Sequence, residues 1–207
     1  MGQAMRRTQA ERSDESERRL LDATARVVAE HGVSAATFDA IGRSAGYSRG
    51  LATQKFGSKQ GLIEALISDL HDQQEAKLAA YHLDQRPGLE AVLEYVDLYL
   101  RHLGDSPASR AYFMLLAGSV ADASDLRAAF ERSHERVKAR LVSLIRRGQA
   151  GGGLRPELDA DSAALMVGSL LLGVSVQWLV DPQVDLDAIR RTSLQTLKLA
   201  LAAPAGK

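Results

Sequence analysis

The 207 residues carry 26 Lys and Arg against 26 Asp and Glu, and 45% of them are hydrophobic. That length suits one compact unit or two small ones, and the apolar content suffices for a substantial core. The chain has no cysteine, which excludes a disulfide framework and thiolate metal sites and fits a reducing, cytoplasmic setting.

The N-terminal MGQAMRRTQAERSDES is polar and lacks the apolar run of a signal peptide. A first helix is predicted over about Glu15 to Glu30, with Leu20, Thr24, Val27 and Val28 on one face and Gly32 ending it. Thr37 suits the N-cap of a short second helix with Phe38, Ile41 and Ala45 inward, and Gly46 stops it. Ser48 suits the cap of a very short third helix reaching about Gln54. Ser58 suits the cap of a fourth, which carries Leu62, Ile63, Leu66, Ile67 and Leu70. Pro87 sits at the next start, before Leu89, Val92, Leu93, Val96 and Leu100. Further helices are predicted over about Arg110 to Val120 and Asp125 to Arg147, the latter broken by the glycines at 151–153. Pro156 is expected to open an apolar helix that Pro182 closes. A last helix spans about Asp187 to Ala202. No alternating strand pattern occurs, so the fold class is all-α.

Charge divides unevenly along the chain. Residues 1–60 hold ten Lys and Arg against seven Asp and Glu, and residues 61–207 hold sixteen against nineteen. The N-terminal part therefore leans toward anionic partners. Ser162 to Val180 is nineteen residues without a charge, close to a membrane span in length. Gln177, the serines and glycines within it, its acidic flanks and the lack of a second such segment favour burial in a core or subunit interface instead.

The stretch GYSRGLATQKFGSKQGL, from Gly46 to Leu62, joins two short helices through Gly46-Tyr47-Ser48, as in a helix-turn-helix. Gly46 takes positive φ without a Cβ penalty, and small Gly42 and Ala45 allow a close crossing. The outer face of the third helix is expected to present Arg49, Thr53, Gln54 and Lys55, all able to bond phosphates or base edges, with Gly50 letting backbone approach the ligand. Ser58 and Lys59 follow at a helix N-terminus, which favours an anion.

These residues resemble the TetR family of transcriptional regulators. The likeness covers about Arg18 to Ile67, a quarter of the chain. It rests on Thr37, Ile41, Ala45, Gly46, Tyr47, Ser48, Arg49, Gly50, Phe56, Ser58, Lys59 and Leu62, in the pattern A-G-[VY]-S-[KR]-G followed by F-x-[SN]-K-x-x-L. The resemblance implies an N-terminal three-helix DNA-binding domain over 1–58 and a helical effector-binding and dimerisation domain over 59–207. It implies that Thr37 and Arg43 touch phosphate, that Tyr47 and Lys59 flank the groove, and that Ser48, Arg49, Gly50, Leu51, Thr53, Gln54 and Lys55 face double-stranded DNA. Leu51 reads equally as core. Thr53 and Lys55 stand where family members commonly carry aromatics, which bears on the operator sequence. Arg6, Arg7 and Arg12 form a basic tail, read either as a backbone or minor-groove contact or as a solvated segment.

Two helix-turn-helix units held about 34–36 Å apart read a palindrome, so a homodimer is expected. Its interface is assigned to Leu165, Gly168, Ser169, Leu172, Gly173, Val176, Leu194, Leu197 and Leu201, on the two last helices that form the family's four-helix bundle. A small apolar or amphipathic effector is expected among the middle helices, where Tyr81 and Tyr112 are also available as large side chains and the lining is assigned to Tyr95, Tyr99, Phe113, Met114, Met166 and Trp178. His71 and Glu75 are spaced for metal binding but lack a third ligand, and no cofactor, metal site or catalytic set is predicted. The resulting function is a ligand-responsive repressor rather than an enzyme. An all-helical small-molecule-binding protein and a DNA-bound adaptor without promoter control are the alternatives.

Overall fold

The computed structural model describes residues 8–105, 107–121 and 125–204. Among these it forms nine α-helices: α1 (Gln9–His31), α2 (Phe38–Ala45), α3 (Arg49–Phe56), α4 (Lys59–Ala79), α5 (Gly88–Arg101), α6 (Pro107–Ala121), α7 (Arg127–Ala150), α8 (Ala160–Val180) and α9 (Leu186–Leu201). The described residues contain no strand, only an isolated antiparallel bridge between Leu154 and Ala202. Arg6 and Arg7 lie outside the described residues.

Local chemistry accounts for the boundaries. α1 begins six residues before the predicted start because Thr8 and Glu11 form a reciprocal capping box. Thr37, Ser48 and Ser58 each cap their helix, accepting from Ala40 N, Leu51 N and Gly61 N at 3.2, 3.2 and 3.0 Å. α8 opens at Ala160 and not at Pro156. Residues 154–159 are held by the bridge to Ala202 and by Gln149, whose side chain donates to the carbonyls of Arg155 and Leu158. Asp159 then caps the helix at Ser162 N, 2.8 Å away.

Two apolar clusters form the interior. The first joins Leu20, Leu21, Val28, Ile41, Ala52, Leu62, Ile63 and Leu66 of the N-terminal helices to Phe113, Leu115 and Phe130. The second gathers Val92, Tyr95, Val96, Leu141, Leu144, Ile145, Val167 and Leu171 with Leu197 and Leu201. α1 packs along α6, so apolar packing runs across the expected boundary at 58/59, and α4 contributes to both clusters. Asp97, buried on α5, pairs with Arg101 and with Arg190 of α9 and fastens the last helix to the body.

Candidate nucleic-acid interface and effector cavity

Three short contacts set the position of α3. Gly46 is left-handed at φ 76° and ψ 26°, and Tyr47 N donates to the Gly42 carbonyl at 2.8 Å, closing the end of α2. A Cβ on Gly42 would stand 2.9 Å from the Tyr47 carbonyl oxygen, so the turn folds directly over a bare backbone. At the next corner a Cβ on Gly61 would lie 2.5 Å from the Phe56 carbonyl oxygen. The α3–α4 junction is therefore as close as glycine permits.

With α3 docked this way, Ala52 is buried while Arg49, Gly50, Thr53 and Gln54 are exposed. Leu51 is half-buried, at the margin between the two roles the sequence left open. Thr53 Oγ1 donates to the Arg49 carbonyl at 3.1 Å, which fixes its rotamer. Lys55 departs from expectation. Its side chain is only 10% exposed, and Nζ donates to the Ser13 carbonyl at 2.8 Å, to Ser13 Oγ at 3.0 Å and to Glu17 at 3.4 Å. Lys55 follows buried Ala52 by three positions, so it lies on the flank of α3 that meets α1 and not on the outer face.

Around α3, Thr37, Arg49 and Lys59 rim one surface depression. Lys59 is exposed, and its Nζ donates to the Val33 carbonyl at 2.9 Å. Arg43 projects outward from α2, paired with Asp39 at 2.6 Å and 73% exposed. Tyr47 is half-buried and Ser48 exposed. An outward polar helix face, flanked by cations and by capped helix starts, is suited to holding a phosphodiester backbone while side chains reach base edges.

A cavity of about 230 Å³ lies among α4, α5, α6, α7 and α8. Tyr95, Tyr99, Tyr112 and Phe113 line it, as do His71 and Ser133, which sequence reasoning did not assign to it. Met114, Met166 and Trp178 do not line it. Trp178 and Met114 pack in the first apolar cluster, and Met166 faces outward, 44% exposed. The helical phase of a side chain, invisible in composition, separates the two groups.

The cavity's polar groups are organised. Ser175 Oγ donates to the Leu171 carbonyl at 2.8 Å, so the Tyr99 hydroxyl, 3.0 Å away, donates to Ser175. Tyr112 Oη lies 3.1 Å from Ser133 Oγ, which lies 3.2 Å from His71 Nδ1. Burial pushes the Tyr95 and Tyr99 hydroxyls well above their ordinary pKa of 10 and raises that of Tyr112, so all three remain protonated. On the α4–α7 seam beside the cavity, Arg136 reaches Asp72 at 3.1 Å and Arg140 reaches Glu75 at 2.9 Å.

α8 is divided lengthwise. Among the described residues it is the one helix long and apolar enough to cross a membrane by length and composition, and 28% of its apolar window is buried in the protomer. Leu165, Ser169, Gly173 and Val176 are exposed, and Gly168, Leu172 and Leu194 are half-buried. Leu165, Gly168, Ser169 and Leu172 also border the cavity. Leu197 and Leu201 are 3% and 1% exposed and belong to the second cluster. They cannot face a partner as predicted, because α9 turns that edge onto α5 and presents Leu199, 78% exposed, to the outside.

The fold is that of a helix-turn-helix transcriptional regulator with a helical C-terminal domain. Residues 20–66 match the family described as bacterial regulatory proteins of the tetR family, and residues 88–202 match the C-terminal region of BetI-type transcriptional repressors. The chain belongs to the TetR family. It is similar to the HTH-type transcriptional regulator TtgR of Pseudomonas putida, with 26% identity over 191 residues, 88% of this chain and 89% of the relative. It is also similar to the HTH-type regulator BetI 2 of Chromohalobacter salexigens, with 28% identity, 82% of this chain and 79% of the relative. A transcriptional regulator from Saccharomonospora viridis, solved in complex with choline, shares the fold at a TM-score of 0.78 and 19% identity, covering 91% of this chain and 98% of that one.

Proposed function

We propose that this chain is a ligand-responsive repressor that binds a palindromic DNA operator as a homodimer in the cytoplasm and is released by a small effector. Residues 1–58 read DNA, and residues 59–207 bind the effector and pair the protomers. The observation that carries this reading is that one helix, α4, touches both halves. It meets α3 at the glycine-tight corner and it also walls the cavity. An effector filling the cavity tilts α4, α3 moves with it, and the spacing of the two recognition helices changes. Couplings of this kind are typically about 1–3 kcal/mol.

The exposed stripe of Leu165, Ser169, Gly173, Val176 and Val180 supports pairing along α8. Its spacing of three and four keeps it on one side of the helix. Leu199 of α9 is a further exposed apolar side chain.

A mobility-shift series with genomic fragments tests the reading. Wild type is expected to retain a palindrome-containing fragment and to lose it steeply as salt rises. Arg49→Ala and Gln54→Ala are expected to change which sequence is preferred. Lys59→Ala is expected to weaken all fragments alike and to reduce the slope of log affinity against log salt by about 1. Binding that ignores salt and all three substitutions sinks the assignment.

A further inference from the structure

His71 sits in mid-α4 and is 6% exposed, on the wall of the cavity. Its Nδ1 is engaged by Ser133, and Ser133 by Tyr112. Its Nε2 is buried without any protein partner. An unmet buried ring nitrogen carries a desolvation cost that a ligand atom would remove. Burial, aided by the Arg136 guanidinium and opposed by Glu75 and Asp72, holds the imidazole below its usual 6.5, so it is neutral at physiological pH. The surrounding wall is aromatic, with Tyr95, Tyr99, Tyr112 and Phe113. The charges do not suit a cation. Glu75 is already paired with Arg140, while Lys77 and Lys138 also line the cavity.

We infer that the cavity selects an uncharged effector: an aromatic or apolar body carrying one hydroxyl or carbonyl that hydrogen-bonds to His71 Nε2. This rests on the cavity being the effector site proposed above. The two orientations of the hydroxyl chain make the preference concrete. When Tyr112 donates to Ser133 and Ser133 to Nδ1, Nε2 carries the proton and requires an acceptor. When Nδ1 donates to Ser133, Nε2 requires a donor. A hydroxyl serves either arrangement. A quaternary ammonium headgroup serves neither. Because His71 lies on α4, the new bond acts on the helix that also carries α3.

The test is calorimetric titration of the full chain with 2-naphthol, naphthalene and choline. Wild type is expected to bind 2-naphthol about tenfold more tightly than naphthalene, the worth of one buried hydrogen bond, and choline most weakly. His71→Asn keeps a polar atom toward Ser133 and deletes the Nε2 position, and it is expected to abolish the naphthol preference. His71→Gln restores a polar atom near Nε2 and is expected to recover part of it. Thermal melting of both variants separates loss of recognition from loss of fold. Equal affinity for the two naphthalenes in wild type, a preference retained in His71→Asn, no binding of any probe, or choline binding tightest each overturns the inference. If 2-naphthol binds through His71 yet leaves operator retention in a mobility shift unchanged, the recognition stands and the effector role of the cavity fails.

Discussion

Gln54 and Lys55 are neighbours on one short helix, and the fold sends them to different surroundings. Gln54 is exposed on the outer face, while Lys55 lies against α1 with Nζ on Ser13 and Glu17. The long aliphatic stem of Lys55 covers the α1–α3 contact and its charge meets a backbone carbonyl. Lys55→Met is therefore expected to act on stability. It removes a largely buried, charge-assisted bond, worth about 1–2 kcal/mol, or a fall in Tm of roughly 2–8 °C for a chain of this size. The salt slope of DNA binding should change little. Thermal melting beside a salt-series mobility shift checks both halves, and a lost phosphate contact without a change in Tm would return Lys55 to the DNA face. The sequence showed a polar residue on a short helix in both cases. It did not show which flank α1 would occupy, since that depends on contacts between residues 38 to 42 positions apart.

Elements meet where side chains vanish. α5 and α7 cross at Gly88 and Gly148, where a Cβ on Gly88 would stand 2.1 Å from Gly148 Cα and 2.8 Å from the Leu144 carbonyl oxygen. No rotamer change relieves a clash with backbone, so Gly88→Ala must push the helices apart. The expected cost is about 1–3 kcal/mol, read as a lowered Tm. Gly50→Ala is the control, because its Cβ would meet only Ser48 Oγ at 3.7 Å. A Gly88→Ala protein melting with wild type would show that the two helices do not need this approach. The same crossing helps set the cavity, since α5 and α7 both wall it. Helix caps were legible because Thr37, Ser48 and Ser58 bond within three residues of themselves. The Gly88–Gly148 contact was not, because sixty residues of chain separate its members.

For the whole molecule, the two edges of the C-terminal helices have opposite fates. Leu165 and Val176 are exposed, 62% and 41%, whereas Leu197 is sealed inside the protomer. Leu165→Glu combined with Val176→Glu is expected to leave each protomer folded but single in sedimentation, with operator affinity collapsing because two linked half-sites become independent ones. Leu197→Ala is expected instead to lower stability by about 2–5 kcal/mol without itself separating protomers. A double-Glu variant that still sediments as a dimer would move the interface off α8. The sequence by itself determined the all-helical class, the caps, the turn at Gly46 and the family, since these depend on periodicity and on bonds spanning a few residues. Only the tertiary structure decided that Lys55 belongs to α1, that Met166 looks outward, that Leu197 and Leu201 lie inside, and that His71 meets Ser133 on a cavity wall. Each of those facts depends on the rotational setting of one packed helix against another, and that is fixed by the summed contacts of distant segments rather than by any local pattern.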